Sequence, residues 1–139
     1  MALTWEDVRN ILTSSKTIAV VGLSNKPDRP SHEIASYLKD EGYRIIPVNP
    51  VITEALGEKA YPSLRDIPER VDVVQIFRKS EDVPPIVEDA IAIGAKVVWM
   101  QSGIVNEEAA ARAEAAGLKV VMDACMRAEH RTLRAEGQI

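Results

Sequence analysis

Short apolar runs alternate along this chain with longer stretches in which apolar residues recur at helical spacing. Lys16 to Gly22, Arg44 to Val48, Val71 to Phe77, Lys96 to Gln101 and Leu118 to Met122 are rich in β-branched residues and bounded by polar or glycine positions, so each reads as a strand. The first of them has the continuous apolar character of a strand buried on both faces. Between them, helical patterns carry their own start and stop signals. Thr4 caps a first helix with Trp5, Val8, Ile11 and Leu12 on one face, and Ser31 caps a second through Ile34, Ala35 and Leu38 that ends at Gly42. A third opens at Ser80 with Pro84 and Pro85 in its first turn and runs to Gly94. Asn106 caps a fourth that Gly117 stops, and a closing helix begins near Met126. Asn49 to Pro62 reads as irregular, with a helical turn at Ser63 to Ile67. Pro47 lacks a ladder donor, so its strand ends there or has a free edge on one side.

Strands alternating with helices predict an α/β fold: a single Rossmann-like doubly wound parallel sheet of about five strands with flanking helices. The expected strand order is 3-2-1-4-5, which places a ligand crevice at the carboxyl ends, at the switch between strands one and four.

Composition narrows the partners. A length of 139 residues fits one domain, 1–139, since domains most often run to roughly 100–150 residues. The net charge of −4 gives no electrostatic reason to expect nucleic acid or an anionic membrane surface. The longest stretch without a charged residue, Val97 to Asn106, is about half the roughly 20 residues a membrane span needs. Acid at Glu6 and Asp7 argues against a signal peptide, so a cytoplasmic location is expected. Cys125 is the single cysteine and has only His32 and His130 for company, too few soft ligands for zinc.

Small and polar residues collect at the predicted carboxyl ends: Gly22 and Ser24, Asn49 and Pro50, Phe77 and Arg78, Gln101 to Gly103, and Asp123 to Cys125. Loops are rich in such residues for turn reasons alone, but five strand ends in five share the feature. The first loop joins a central strand to a helix N-terminus, where free amides favour an anion. It contains only Gly22 of the three glycines of a dinucleotide fingerprint, with Ser24 where the second would lie, and no Gly-Lys-Ser/Thr of a P-loop. The second strand ends on Asn49 and Pro50 instead of the acid that binds a ribose. Lys26, Arg29 and Arg78, with Lys79 beside it, gather cations at one rim of an acidic protein and suggest a polyanionic small ligand.

These segments resemble the small single-domain CoA-binding proteins, similar to the N-terminal CoA-binding domain of the succinyl-CoA synthetase α-subunit. The resemblance covers nearly the whole chain and rests on residues 21–31, 47–50, 77–79, 97–103 and 123–130. It implies coenzyme A or an acyl-CoA as cofactor. Ser24, Asn25, Lys26 and Pro27 would wrap a phosphate with Gly22 and Arg29 beside them, and Asn49 and Pro50 would border the adenosine. Phe77, Arg78 and Ser80, with Gln101, Ser102 and Gly103, would follow the pyrophosphate and pantetheine arm. The synthetase carries its phosphorylated histidine in a second domain, so the expectation here is a carrier, sensor or detachable subunit without a complete catalytic apparatus, with a protein partner.

Two readings compete. One is an NAD(P)-dependent oxidoreductase using Asp123 or His130 as proton donor; the other is a ligand-free interaction module on the same fold. His130 is expected to be solvated or capping, and a neutral His32 could hydrogen-bond a phosphate. Cys125 is expected to be a half-buried small hydrophobe whose thiol could exchange with that of CoA. Trp99 and Met100 are expected to pack in the sheet.

Overall fold

The computed structural model describes residues 3–138; Met1, Ala2 and Ile139, which the expected domain range took in, lie outside them. Strands β1 (Thr17–Val21), β2 (Arg44–Val48), β5 (Val73–Ile76), β6 (Val97–Met100) and β7 (Lys119–Val121) form one parallel sheet. The two short strands β3 (Glu54–Ala55) and β4 (Glu58–Lys59) form a separate hairpin. Helices α1 (Trp5–Ser14), α2 (Pro30–Asp40), α3 (Val83–Ala92), α4 (Glu107–Ala115) and α5 (Met126–Ala135), with 3-10 turns at Leu64–Asp66 and Ser80–Asp82, complete the described fold.

Alternation along each strand divides the core into two layers. Ala19, Val21, Val74, Ile76, Val98 and Met100 face one side, where Val83 and Val87 of α3 and Ala109 and Ala113 of α4 cover them. Ile18, Val20, Val73, Trp99 and Val121 face the other, packed by Ile11 and Leu12 of α1, Leu38 of α2 and Leu133 of α5. Trp99 is fully buried and donates its Nε1 hydrogen to Ala124 O at 2.8 Å, so it packs in the sheet as expected.

The doubly wound α/β architecture is the one the sequence predicts, but the strand order needs correcting. The sheet runs β2-β1-β5-β6-β7, so the third predicted strand lies against β1 and not outside β2. The place outside β2 holds Tyr61, which makes a single parallel bridge to Val48. Its N–H donates to Pro47 O at 3.0 Å, and its carbonyl accepts from Asn49 N–H at 2.9 Å. A third strand reduced to one bridge has no hydrophobic period to read, so Val71 to Phe77 is the next run that the pattern marks as a strand. The crossover reversal therefore falls between β1 and β5. The missing donor of Pro47 is on the outer side of β2, which is an edge strand as its proline implied.

Three local expectations also change. Arg29 is the N-cap of α2 and Pro30 its first residue. Ser31 Oγ accepts instead from Ser24 N–H at 3.0 Å, so its hydroxyl ties the loop after β1 to the helix. The irregular stretch contains the β3–β4 hairpin, turned by Leu56 and Gly57 with φ of 54° and 74°. Ser80 begins a 3-10 turn, Ser80–Asp82, that leads into α3.

Candidate functional site

Gly22 closes β1 with φ +89°, and a Cβ there would stand 2.6 Å from Phe77 O and 3.1 Å from Arg78 Cδ. Only glycine satisfies both conditions, so the ends of β1 and β5 lie close together. The loop that follows is fixed from within. Ser24 Oγ accepts from Lys26 N–H at 3.1 Å, while Asn49 Nδ2 donates to Leu23 O at 3.1 Å and Asn49 Oδ1 accepts from Val51 N–H at 3.0 Å. Both ends of the Asn49 carboxamide thus hold backbone.

Two adjoining clefts open over these strand ends and share Pro30 and Phe77. The first, of 610 Å³, is bordered by Gly22, Ser24, Asn25, Lys26, Arg29 and Asn49, with Val51 and Ile52 on its far side. Lys26 and Arg29 are exposed at its rim. The second, of 370 Å³, lies between Ile34, Ile104 and Cys125, with Arg78, Gln101 and Ser102. Arg78 is partly neutralised there by Asp82 at 3.3 Å. The structure thus brings ten of the fourteen sequence-predicted site residues to the paired clefts, with Phe77 counted once; Pro27, Pro50, Ser80 and Gly103 are the four that border neither. Pro50 borders a smaller cavity with Pro62 and Leu64. Ser80 Oγ accepts from Val105 N–H and Ser80 O from Asn106 Nδ2, so Ser80 fastens the loop after β6. Gly103 N–H donates to Asp123 Oδ1 at 2.6 Å. Pro27 borders neither cleft.

Gln101 is the most informative side chain of the second cleft. It is 4% exposed, and its Oε1 accepts from both Gln75 Nε2 at 3.1 Å and Met126 N–H at 2.9 Å. Those donors fix the orientation of the amide, and its Nε2 has no partner among the described residues, while the residue borders the cleft. Gln75, fully buried, keeps an unpartnered Oε1. Apolar wall residues such as Ile34, Ile52 and Ile104 are indistinguishable from core in the sequence, so the sequence pattern does not mark them as site residues.

His130 corrects an expectation: it is 3% exposed, not solvated, and its Nδ1 lies 2.8 Å from Tyr37 Oη. Tyr37 and Tyr43 both meet its ring edge to face. Burial holds its imidazole below the ordinary histidine value, with Glu41 opposing and Arg134 reinforcing the shift. It borders neither cleft, and His32, although it follows Ser31 directly, borders neither as well. A further cavity of 410 Å³ sits at the opposite end of the sheet, beside Lys96 and Lys119. No helix among the described residues is long and apolar enough to cross a membrane.

The chain is 48% identical over 124 residues to the uncharacterized protein YneT of Bacillus subtilis, covering 89% of this chain and 92% of that protein. A solved structure of a hypothetical protein from Pyrococcus horikoshii superposes with a TM-score of 0.93 at 47% identity, covering 96% of this chain and 94% of that one. The ADP-forming acetate–CoA ligase II of Archaeoglobus fulgidus is 34% identical over 113 residues, which are 80% of this chain and 17% of the ligase. The profile of the family described as CoA binding domain matches residues 16–131, and with that span the chain belongs to the CoA-binding domain family, similar to the N-terminal domain of the succinyl-CoA synthetase α-subunit.

Proposed function

We propose that this chain binds coenzyme A or an acyl-CoA and acts as a carrier, sensor or detachable subunit, with the rest of any acyl-transfer apparatus supplied by a protein partner. The observation that carries the reading is the pairing of two unlike clefts. One has a cationic rim suited to phosphates; the other is largely apolar and is bordered by one side-chain amide, that of Gln101, with an unpartnered N–H donor. A ligand matching both is a polyanion at one end and an apolar, amide-bearing arm at the other, which is the chemistry of CoA. Lys26 and Arg29 would meet the phosphates, the loop from Gly22 to Pro27 would run beside them, and Asn49 would hold the adenosine-side wall. Phe77, Arg78, Gln101 and Ser102 would follow the arm. Membership of the family and the likeness to ADP-forming ligases support the same ligand. The ligase comparisons also support a partner, because two of the similar proteins, from Pyrococcus furiosus, are alpha subunits of ADP-forming acetate–CoA ligases.

Calorimetric titration with CoA, dephospho-CoA, NAD+ and NADP+ tests the reading. CoA should bind, dephospho-CoA more weakly for want of the phosphate that Lys26 and Arg29 can meet, and the two nicotinamide cofactors weakest. Binding of NAD+ with silence from CoA would overturn it.

A further inference from the structure

We propose that Cys125 is a site of reversible covalent attachment of coenzyme A, formed by exchange between its thiol and CoA disulfide; the proposal rests on the CoA reading and adds a bond to it. Cys125 follows β7, occupies the N-cap of α5, and makes no side-chain cap hydrogen bond. It is half-buried and borders the second cleft with Gln101. It is the chain's single cysteine, so no internal disulfide competes for it. Its acidic neighbour Asp123 is turned to the Gly103 amide.

The position of the cleft makes this thiol more than an isolated one. A ligand whose phosphates sit by Lys26 and Arg29 reaches the second cleft past Pro30 and Phe77, and the end of its arm is a thiol. The arm carries amide carbonyls, which are acceptors. Gln101 borders that cleft and is 4% exposed as a residue; Gln75 and Met126 take up its Oε1, which leaves its Nε2 as a donor without a partner among the described residues. A hydrogen bond from it would hold the arm beside Cys125. In the exchange, Cys125 Sγ as thiolate attacks one sulfur of CoA disulfide. A new Sγ–S bond forms, the original S–S bond breaks, and one CoA leaves as thiolate to take up the proton that Cys125 gave up. One disulfide replaces another, so no further oxidant enters, and a free thiol reverses the step.

Intact-mass measurement after incubation with CoA disulfide tests the proposal, with glutathione disulfide as the probe lacking adenosine and pantetheine. Wild type should gain one CoA less two hydrogens, reversed by dithiothreitol, and Cys125→Ser should gain nothing. Held in the cleft, CoA disulfide should react on the order of tenfold or more faster than glutathione disulfide. Ser24→Leu, which retains the thiol, should lose that preference. No adduct on protein that binds CoA calorimetrically, or equal rates from the two disulfides, overturns the covalent proposal and leaves the CoA reading standing. Absence of calorimetric CoA binding in wild type is the separate failure of that reading.

Discussion

A buried glutamine is tolerated in a β-sheet core when its amide has partners, and Gln75 has one for its nitrogen and none for its oxygen. Its contribution is to orient Gln101. Replacing it with leucine removes an unpartnered acceptor, so Gln75→Leu should leave stability within about 1 kcal/mol of wild type while weakening CoA binding, because Gln101 loses one of the donors that hold its amide. Urea unfolding and calorimetry on the same preparation separate the two effects; unchanged affinity would mean Met126 alone holds Gln101. Ser24→Leu makes a complementary test. Its hydroxyl serves only the Lys26 amide, so the fold should persist with a change within about 1 kcal/mol, while the leucine fills the phosphate end of the first cleft and binding disappears. Gly22→Val is the poorer probe, since positive φ and the approach of Phe77 O predict loss of the fold with loss of binding.

At the scale of elements, all five sheet strands and all five helices were legible from hydrophobic period and caps. What was hidden was what lacks a period. The bridge at Tyr61 is one residue long, and the β3–β4 hairpin has strands of two, so the order of the sheet was displaced by one place. The strand-end residues were legible because turn chemistry and anion chemistry use the same residue types; their apolar walls were not. His130 was misplaced because the charged composition of α5 describes its outer face, whereas His130 points at Tyr37 of α2. That contact joins α2 to α5 and makes a pH-dependent fastening. The folded value is depressed, while an unfolded histidine takes up a proton near about pH 6.5. Unfolded chains therefore bind more protons between those two values, so the contribution of neutral His130 is fully present above about pH 6.5 and is lost as pH falls below it. His130→Phe should flatten the decline in unfolding free energy between pH 7.5 and 5.5 (roughly one unit either side of that value); parallel slopes in mutant and wild type would assign the decline to other groups. Tyr37→Phe should cost about 1 kcal/mol at neutral pH, read by urea unfolding.

For the molecule as a whole, the clefts and the buried histidine lie in different places, which bears on catalysis. Incubated with labelled ATP or GTP and an acyl acid, this chain should form no acid-labile, base-stable phosphate and show no CoA-ligase turnover, because His130 is 3% exposed and hydrogen-bonded to Tyr37. Stoichiometric label lost in His130→Asn would sink that expectation. CoA itself, at about a hundredfold its Kd, should stabilise the fold by about 2.7 kcal/mol, seen as a Tm rise that grows with ligand concentration.

The outer borders of the sheet have a consequence for how a partner can attach. Pro47 offers no N–H on the outer side of β2, and the Tyr61 bridge takes up the Pro47 carbonyl and the Asn49 amide beside it. At the opposite border β7 is three residues long and carries Lys119. Neither border offers a run of unpaired donors and acceptors to template an added strand. The partner proposed above would therefore find no strand edge to extend, and a contact at the rim of the clefts would let it meet the bound ligand.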